Sequence, residues 1–327
     1  MPLPEFNLYP DFNTVRLSHA YLNVSDLAAS KAFYCDTLGL QITDESETHV
    51  YLRAMEERGH HCLVLQKSDA PGTVDAVGFK TYDEADLDRA EAWFQAQGRP
   101  TQWVIRPYQG RTLLTSDNLG IPLEFYHKMD RLPSIHQKYA LYNGVKPLRI
   151  DHFNCFSPDV DASVAFYNSM GFRVTEYTED EDSKRLWAAW MHRKGGVHDM
   201  AFTNGTGPRL HHVAFWVPTP LNIIDLLDLM ATTGYVDNIE RGPGRHGISN
   251  AFFLYVLDPD GHRIEIYCSD YQTVDPDLEP IKWDLTDPQR QTLWGAPAPK
   301  SWFEHGTRFT DAETRDSDIA ASPIIAP

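Results

Sequence analysis

"RLSHAYLNVSDLAASKAFYCDTLGL" (residues 16–40) returns, altered, as "RIDHFNCFSPDVDASVAFYNSMGF" (149–172). Arg16 falls on Arg149, His19 on His152 and Phe33-Tyr34 on Phe166-Tyr167; one residue of the first copy is then skipped before Gly39 meets Gly171. Two more blocks follow in the same order. "GFKTYDEADLDRAEAWFQAQG" (78–98) aligns without a gap on "AFWVPTPLNIIDLLDLMATTG" (214–234). "LLTSDNLGIPLEFYH" (113–127) aligns on "LYVLDPDGHRIEIYC" (254–268), which puts Gly120 on Gly261 and Glu124 on Glu265. Three blocks in one order identify a duplication, each copy about as long as an ordinary domain.

Each copy predicts the same succession of elements. An alternating strand leads into a helix that opens at Ser25-Asp26 or Ser157-Pro158-Asp159, residues whose oxygens cap the first free backbone amides. Gly39 and Gly171 stand where a helix C-terminal glycine belongs. More strands follow, then a strand and helix ending at Gly98 or Gly234, a turn (Asp258-Pro259-Asp260-Gly261 in the second copy) and a final strand. The predicted organisation is a first domain over 14–130 and a second over 148–271. The aperiodic "HKMDRLPSIHQKYALYNGVKPL" (127–148) connects them. A Pro- and Asp-rich tail over 272–327 ends in "ETRDSDIAASPIIAP" (313–327), which is expected to be loosely ordered.

Hydrophobic residues make up 42% of the 327 and charged residues 23%, the balance of a soluble globular protein. A formal net charge of −17 argues against nucleic acid or an anionic membrane as partner, because both require basic surface. No apolar run reaches the length of a membrane span, and "MPLPEFNLYPDFN" lacks the basic-then-apolar layout of a signal peptide. The four cysteines are scattered, with no C-x-x-C pair, which predicts reduced thiols and a cytoplasmic location.

Matched apolar residues show only a shared architecture, so the informative positions are polar ones that change between copies. Gly78 against Ala214 sets Ala76 against His212 and Asp75 against His211. The second copy therefore offers His152, His212 and Glu265, where the first has His19, Ala76 and Glu124. That pattern points to a metal site kept in one half and lost in the other. Two histidines and a carboxylate from three strands can occupy one face of a metal and leave the opposite positions open, which suits non-haem Fe(II) oxygen chemistry. Catalytic zinc sites use the same residue types. Strand alternation places neighbours on opposite faces, so His211 is expected to point away from His212 and to be structural or to support the site from behind. By the same rule Asn154 shares a face with His152.

The second copy resembles the vicinal oxygen chelate superfamily, and within it the extradiol ring-cleaving dioxygenases. The resemblance rests on "RIDHFN", "AAWMHRKGGVHD", "GPRLHHVAF", "NIERGPGRHGISNAF" and "LDPDGHRIEIY", which cover most of residues 148–271. It implies an α+β fold of two tandem domains, each a pair of βαβββ modules whose strands curl into a cup. It further implies His152, His212 and Glu265 as metal ligands, with Fe(II) usual and Mn(II) used by some relatives, and extradiol cleavage of a substituted catechol by dioxygen. His198 matches the family's acid/base, although alone it reads as a surface histidine in a glycine-rich turn. Tyr255 and His246 match residues that bond the substrate oxygens. Asn154, Trp190, Arg241, Asn250, Arg290 and Gln291 fall at substrate-binding positions. A homotetramer is the family's common state.

One position departs from the family. Relatives acting on homoprotocatechuate carry two consecutive arginines where this chain has Arg290-Gln291, and a neutral amide cannot replace a bidentate guanidinium on a carboxylate. An alkyl- or aryl-substituted catechol such as 2,3-dihydroxybiphenyl thereby joins homoprotocatechuate as a candidate substrate. The fold also hosts two other functions: a glyoxalase-type metal-dependent lyase or isomerase, and a metal-free binding protein. The first usually draws ligands from paired modules, and the second has no use for His152, His212, Glu265 and His198 together. The tail is expected to act in part as a lid.

Overall fold

The computed structural model describes residues 3–319. The first half contains β1 (Thr14–Val24), β2 (Gln41–Glu45), β3 (His49–Arg53), β4 (Leu63–Lys67), β5 (Thr73–Thr81), β6 (Gln102–Arg106), β7 (Gly110–Ser116) and β8 (Pro122–Tyr126). Its helices are α1 (Leu27–Lys31) and α2 (Ala85–Ala96). The second half repeats the set. Its strands are β9 (Arg149–Ser157), β10 (Arg173–Glu179), β11 (Leu186–His192), β12 (Met200–Asn204), β13 (Arg209–Trp216), β14 (Ile239–Arg245), β15 (Phe252–Leu257) and β16 (Arg263–Cys268). Its helices are α3 (Val160–Ser169) and α4 (Pro220–Thr233).

Pairing follows the same plan in both. In the first half β1 runs parallel to β4 and antiparallel to β5, and β5 runs parallel to β8, giving the order β2-β3-β4-β1-β5-β8-β7-β6. The second half gives β10-β11-β12-β9-β13-β16-β15-β14. Each half is thus two βαβββ units joined edge to edge, in an α+β fold with one large curved sheet.

Local chemistry accounts for the repeated landmarks. Asp26 and Asp159 cap their helices, accepting from Ala28 and Ala29 and from Ala162. Gly39 and Gly171 lie at φ of +93° and +83°, and a Cβ on Gly39 would come within 2.1 Å of the Asn143 carbonyl oxygen. The residue skipped between the copies has a structural outcome. After α1 the chain forms a π-helical turn over Ala32–Thr37, with Leu38 N bonded to Phe33 O and Gly39 N to Tyr34 O. The extra residue is absorbed as a bulge in the helix, so both flanking registers survive.

The central strands differ from the alternating pattern predicted for them. From Ile150 to Ser157 every residue of β9 is buried, because one face lines the cup and the other packs on helices. Those helices join the halves: Phe166 of α3 meets Trp93 and Phe94 of α2, while Phe33 after α1 meets Tyr235 beyond α4. Two reciprocal hydrogen bonds cross the same boundary. Tyr34 Oη donates to Asp258 at 2.9 Å, and its duplicate Tyr167 donates to Asp117 at 3.3 Å. All four residues are buried. Tyr34→Phe is expected to lower stability by ~1–3 kcal/mol, because it removes a donor from a buried carboxylate. Calorimetry should show a lower unfolding temperature for Tyr34→Phe and a smaller drop for Tyr167→Phe; unchanged transitions would mean these bonds do not hold the halves together.

The tail is more ordered than its composition suggested. It forms β17 (Ile281–Asp284), α5 (Pro288–Gln291), β18 (Trp294–Gly295), α6 (Lys300–Glu304) and β19 (Thr307–Phe309). β17 adds to the β10 edge and β18 to the β14 edge, so the chain between them straps the second cup from rim to rim. β19 then wedges between β13 and β5, pairing with both halves. Residues 313–319 are fastened rather than loose: Arg315 bridges to Gly207, Asp316 accepts from Thr206, and Asn204 bonds Ser317 and Ile319. The rest of "ETRDSDIAASPIIAP", residues 320–327, lies outside the described residues. All four cysteines are free thiols. Among the described residues no helix is long and apolar enough to cross a membrane.

Candidate metal centre and catechol pocket

The strand register brings the three proposed ligands together. His152 on β9 lies opposite Ala214 on β13; Ala214 in turn lies beside Glu265 on β16; His212 faces Asn154. The first half repeats this, with His19 opposite Gly78, Gly78 beside Glu124, and Ala76 facing Tyr21. In the second half His152 Nε2 is 2.9 Å from Glu265 Oε2 and 3.2 Å from His212 Nε2, and His212 Nε2 is 3.2 Å from Glu265 Oε2. The three ligand atoms lie within 4.8 Å of one another, and they form the one such group among the described residues. All three residues are buried.

The donor chemistry fits a divalent cation. Burial pulls His212 down to about 4 despite Glu265, so its imidazole is neutral. Burial alone would raise Glu265, but the neighbouring His152 and His212 hold it well below the usual carboxylate range. A carboxylate and imidazole nitrogens converging in a dry site are the borderline N/O set that Fe(II), Mn(II) and Zn(II) accept.

The first half shows how the same frame is closed off. Glu124 is fully buried and accepts from His19 Nε2 at 2.6 Å and Gln109 Nε2 at 2.8 Å, and Arg106 Nη2 lies 3.1 Å from its other oxygen. A guanidinium supplies the positive charge. Gly78 contributes too: a Cβ there would meet His19 Cε1 at 2.1 Å, whereas the equivalent Ala214, opposite His152, carries that methyl. The alignment paired Gly78 with Ala214, but only the packing shows that His19 fills the space a methyl would take at Gly78.

His211 departs from expectation. The β9–β13 register slips between Leu210 and His212, so His211 sits in a β-bulge and does not alternate cleanly with its neighbour. Its Nδ1 lies 2.6 Å from His212 Nδ1, and its Nε2 donates to the Trp302 carbonyl of α6 at 2.9 Å. With that proton on Nε2, His211 Nδ1 accepts from His212 Nδ1–H, which leaves His212 Nε2 free toward Glu265. The support lies at the side of the ligand and reaches the tail.

One cavity is lined by His152, His212 and Glu265, and also by His198, Tyr255, His246, Asn154, Trp190, Arg290 and Gln291. His198 is buried, with its ring 3.8 Å from that of His152 and its Nδ1 without a hydrogen-bond partner. Burial and the neighbouring His152 push it well below the ordinary histidine range. His246 Nδ1 donates to the Gln291 carbonyl, so its Nε2 accepts from the Tyr255 hydroxyl 3.0 Å away. Burial and Arg241 lower His246 to about 3, while burial and Glu265 raise Tyr255 well above its ordinary value. Asn154 accepts from Thr203 at 3.2 Å.

Two candidates fall outside this cavity. Arg241 is buried behind its wall, 4.4 Å from the Trp302 ring, and donates to the Gln291 carbonyl and to Thr292. It ties down the strap that carries Arg290 and Gln291. Asn250 is exposed, and its amide donates outward to the Ser269 carbonyl at 2.9 Å. Its positive φ of 57° belongs to a tight turn that swings the side chain off the cavity. Trp187, Thr203, Ile248, Ser249, Ala251 and Trp302 also line the cavity and went unnoticed in the sequence. Trp302 arrives from the far tail, which no local pattern signals.

Comparison with known proteins agrees with this architecture. The Glyoxalase/Bleomycin resistance protein/Dioxygenase superfamily model matches residues 16–125 and 149–266. A metapyrocatechase of Geobacillus stearothermophilus is 31% identical over 93% of this chain and 97% of its own length. A manganese-dependent 2,3-dihydroxybiphenyl 1,2-dioxygenase of Geobacillus genomosp. 3 is 30% identical over 87% of this chain and 95% of its own. Among solved structures, the anaerobic complex of homoprotocatechuate 2,3-dioxygenase from Brevibacterium fuscum with 3,4-dihydroxyphenylacetate superposes with a TM-score of 0.90. It is 44% identical over 96% of this chain and 98% of that one.

Proposed function

For a chain that belongs to the glyoxalase/bleomycin resistance protein/dioxygenase superfamily and is an extradiol ring-cleaving dioxygenase within it, we propose a catechol with an uncharged alkyl or aryl substituent as substrate. Gln291 carries this reading. It lines the cavity with a neutral amide, beside walls formed by Trp187, Trp190, Ile248 and Trp302. A carboxylate buried there would lose its hydration without a second guanidinium to receive it. A second reading, a catechol bearing a carboxylate side chain such as homoprotocatechuate, draws on Arg290, which lines the same cavity.

The metal site proposed is His152, His212 and Glu265, holding Fe(II). Mn(II) is the second reading, favoured by the manganese-dependent relative. A divalent metal held there would supply the Lewis acidity and the electron route by which a catecholate and dioxygen react. This chain's residues do the rest. The Tyr255–His246 pair holds a proton at Tyr255 Oη and orients a catechol oxygen by hydrogen bonding. His198, which lines the cavity and is kept neutral by burial, takes up a proton and returns it. The tryptophans exclude water, which strengthens each of these contacts.

Fe(II)-loaded protein given a substituted catechol and oxygen is expected to form a yellow ring-opened product without free peroxide. Across methylcatechol, dihydroxybiphenyl and homoprotocatechuate, kcat/KM should disfavour the carboxylated ring by ~10-fold or more, the worth of one charge-assisted hydrogen bond. Gln291→Arg should narrow that gap. A native preference for homoprotocatechuate would overturn the assignment. Reconstitution of stripped protein with Fe(II) or Mn(II) separately, followed by the same assay, decides the metal.

A further inference from the structure

The duplication supplies an internal control for what surrounds a ligand histidine. His152 uses its second ring nitrogen, Nδ1, to donate to Asp151 Oδ2 at 3.1 Å. Asp151 is 2% exposed and is itself held from three sides. Lys194 Nζ lies 2.9 Å from its Oδ1 and also bonds its carbonyl oxygen, the Tyr267 hydroxyl donates to Oδ2, and Arg149 Nε stands farther off, 3.7 Å from Oδ1. In the first half Ser18 stands at the place of Asp151 and is bonded to Tyr126, the duplicate of Tyr267. There His19 Nδ1 is buried with no hydrogen-bond partner among the described residues. The half that lacks the central ligand, with Ala76 for His212, also lacks this support.

We infer that Asp151, fixed by Lys194 and Tyr267, is a positioning residue for the metal, acting through His152. With the proton held on Nδ1 by the carboxylate, His152 has one available lone pair, on Nε2, and that atom faces Glu265 and His212. The ionised carboxylate also makes the imidazole a stronger donor to a cation. Lys194 enters from a cleft open to solvent, lined also by Arg149, Trp216 and Asp270, and its side chain is 20% exposed. Its part is to hold Asp151 in place, so its effect on the metal is indirect and opposite in sign to its own charge. A cation nearby would by Coulomb's law alone weaken metal binding.

That opposition of signs makes the inference testable. It rests on His152 being a ligand, which His152→Ala tests separately by loss of Mn(II) binding; metal retained in that variant would sink both readings. Mn(II) affinity is measured on the metal-stripped full-length chain by competition with a chelator, with thermal unfolding as the check on folding. Asp151→Asn is expected to bind Mn(II) ~10–100-fold more weakly than the native chain, the usual effect of losing a ligand's supporting carboxylate. Lys194→Met, a change at a partly exposed side chain that is expected to keep the fold even where Asp151→Asn does not, should weaken binding by ~3-fold or more, a smaller loss because Lys194 acts only through Asp151. Unchanged or tighter Mn(II) binding in Lys194→Met, or unchanged binding in a folded Asp151→Asn, overturns the inference. Ser18→Asp in the first half should leave Mn(II) stoichiometry and affinity as they are.

Discussion

Glu265→Ala protein is expected to fold, to lose its divalent metal, and to cleave catechol at least ~10³-fold more slowly, the equivalent of about 4 kcal/mol of transition-state stabilisation. Glu265 is the one carboxylate among the three clustered residues that could hold a metal, and its partners are imidazoles. Without it a dication would have to enter a buried site with no formal negative charge among its ligands, at a desolvation cost two neutral nitrogens cannot offset. The fold should tolerate the change. β16 is held by backbone ladders to β13 on one side and β15 on the other, and neither depends on the side chain. Removing a buried carboxylate also removes its desolvation cost.

The duplicate offers the contrasting variant. Glu124→Ala should leave metal content and turnover intact but cost ~3 kcal/mol or more of stability, because it strands the Arg106 guanidinium that pairs with Glu124. Metal analysis, oxygen uptake and thermal unfolding on both variants separate the two roles. A Glu265→Ala protein that keeps metal and full turnover would show the ligand set to be wrong.

His198→Phe is expected to lower kcat by ~10²–10³-fold while metal content and fold stay as they were, the range for losing a positioned acid/base. The residue touches the site from the side: its ring lies 3.8 Å from that of His152, and it lines the cavity without being one of the clustered ligands. Burial keeps it neutral at pH 7, and its Nδ1 has no hydrogen-bond partner among the described residues. The proposed role follows from its place: a neutral imidazole lining the cavity can gain a proton during the reaction and give it back. Phenylalanine preserves the packing and removes only that capacity. Single-turnover rates and metal content are the measurements; undiminished kcat with full metal occupancy would move the proton-handling role to the Tyr255–His246 pair.

Much of this site was legible because the chain carries its own comparison. Aligning the copies set His212 against Ala76 and kept His152 and Glu265 at equivalent strand positions, and the register reproduces that equivalence residue for residue. Caps, helix-ending glycines and turn residues were legible for a different reason: they depend on backbone conformations that few residue types satisfy. The errors lie where a long-range contact overrides a local rule. His211 was expected on the far strand face, and a bulge brings it against His212. Arg241 was expected at the substrate and lies behind the wall under Trp302, while Asn250 turns outward.

The sequence by itself determined the duplication, which copy carries the metal-competent residues, and the neutral Gln291 beside Arg290, because each is a matter of residue identity. Tertiary structure alone decided which residues wall the cavity. The tail leaves β16, crosses from the β10 rim to the β14 rim, and returns Arg290, Gln291 and Trp302 to a site built by strands far earlier in the chain. The seating of His19 against Gly78 and the grip of Lys194 on Asp151 were settled there too. Such contacts depend on which segments meet across the sheet, and strand pairing between distant segments leaves no period in the sequence to read.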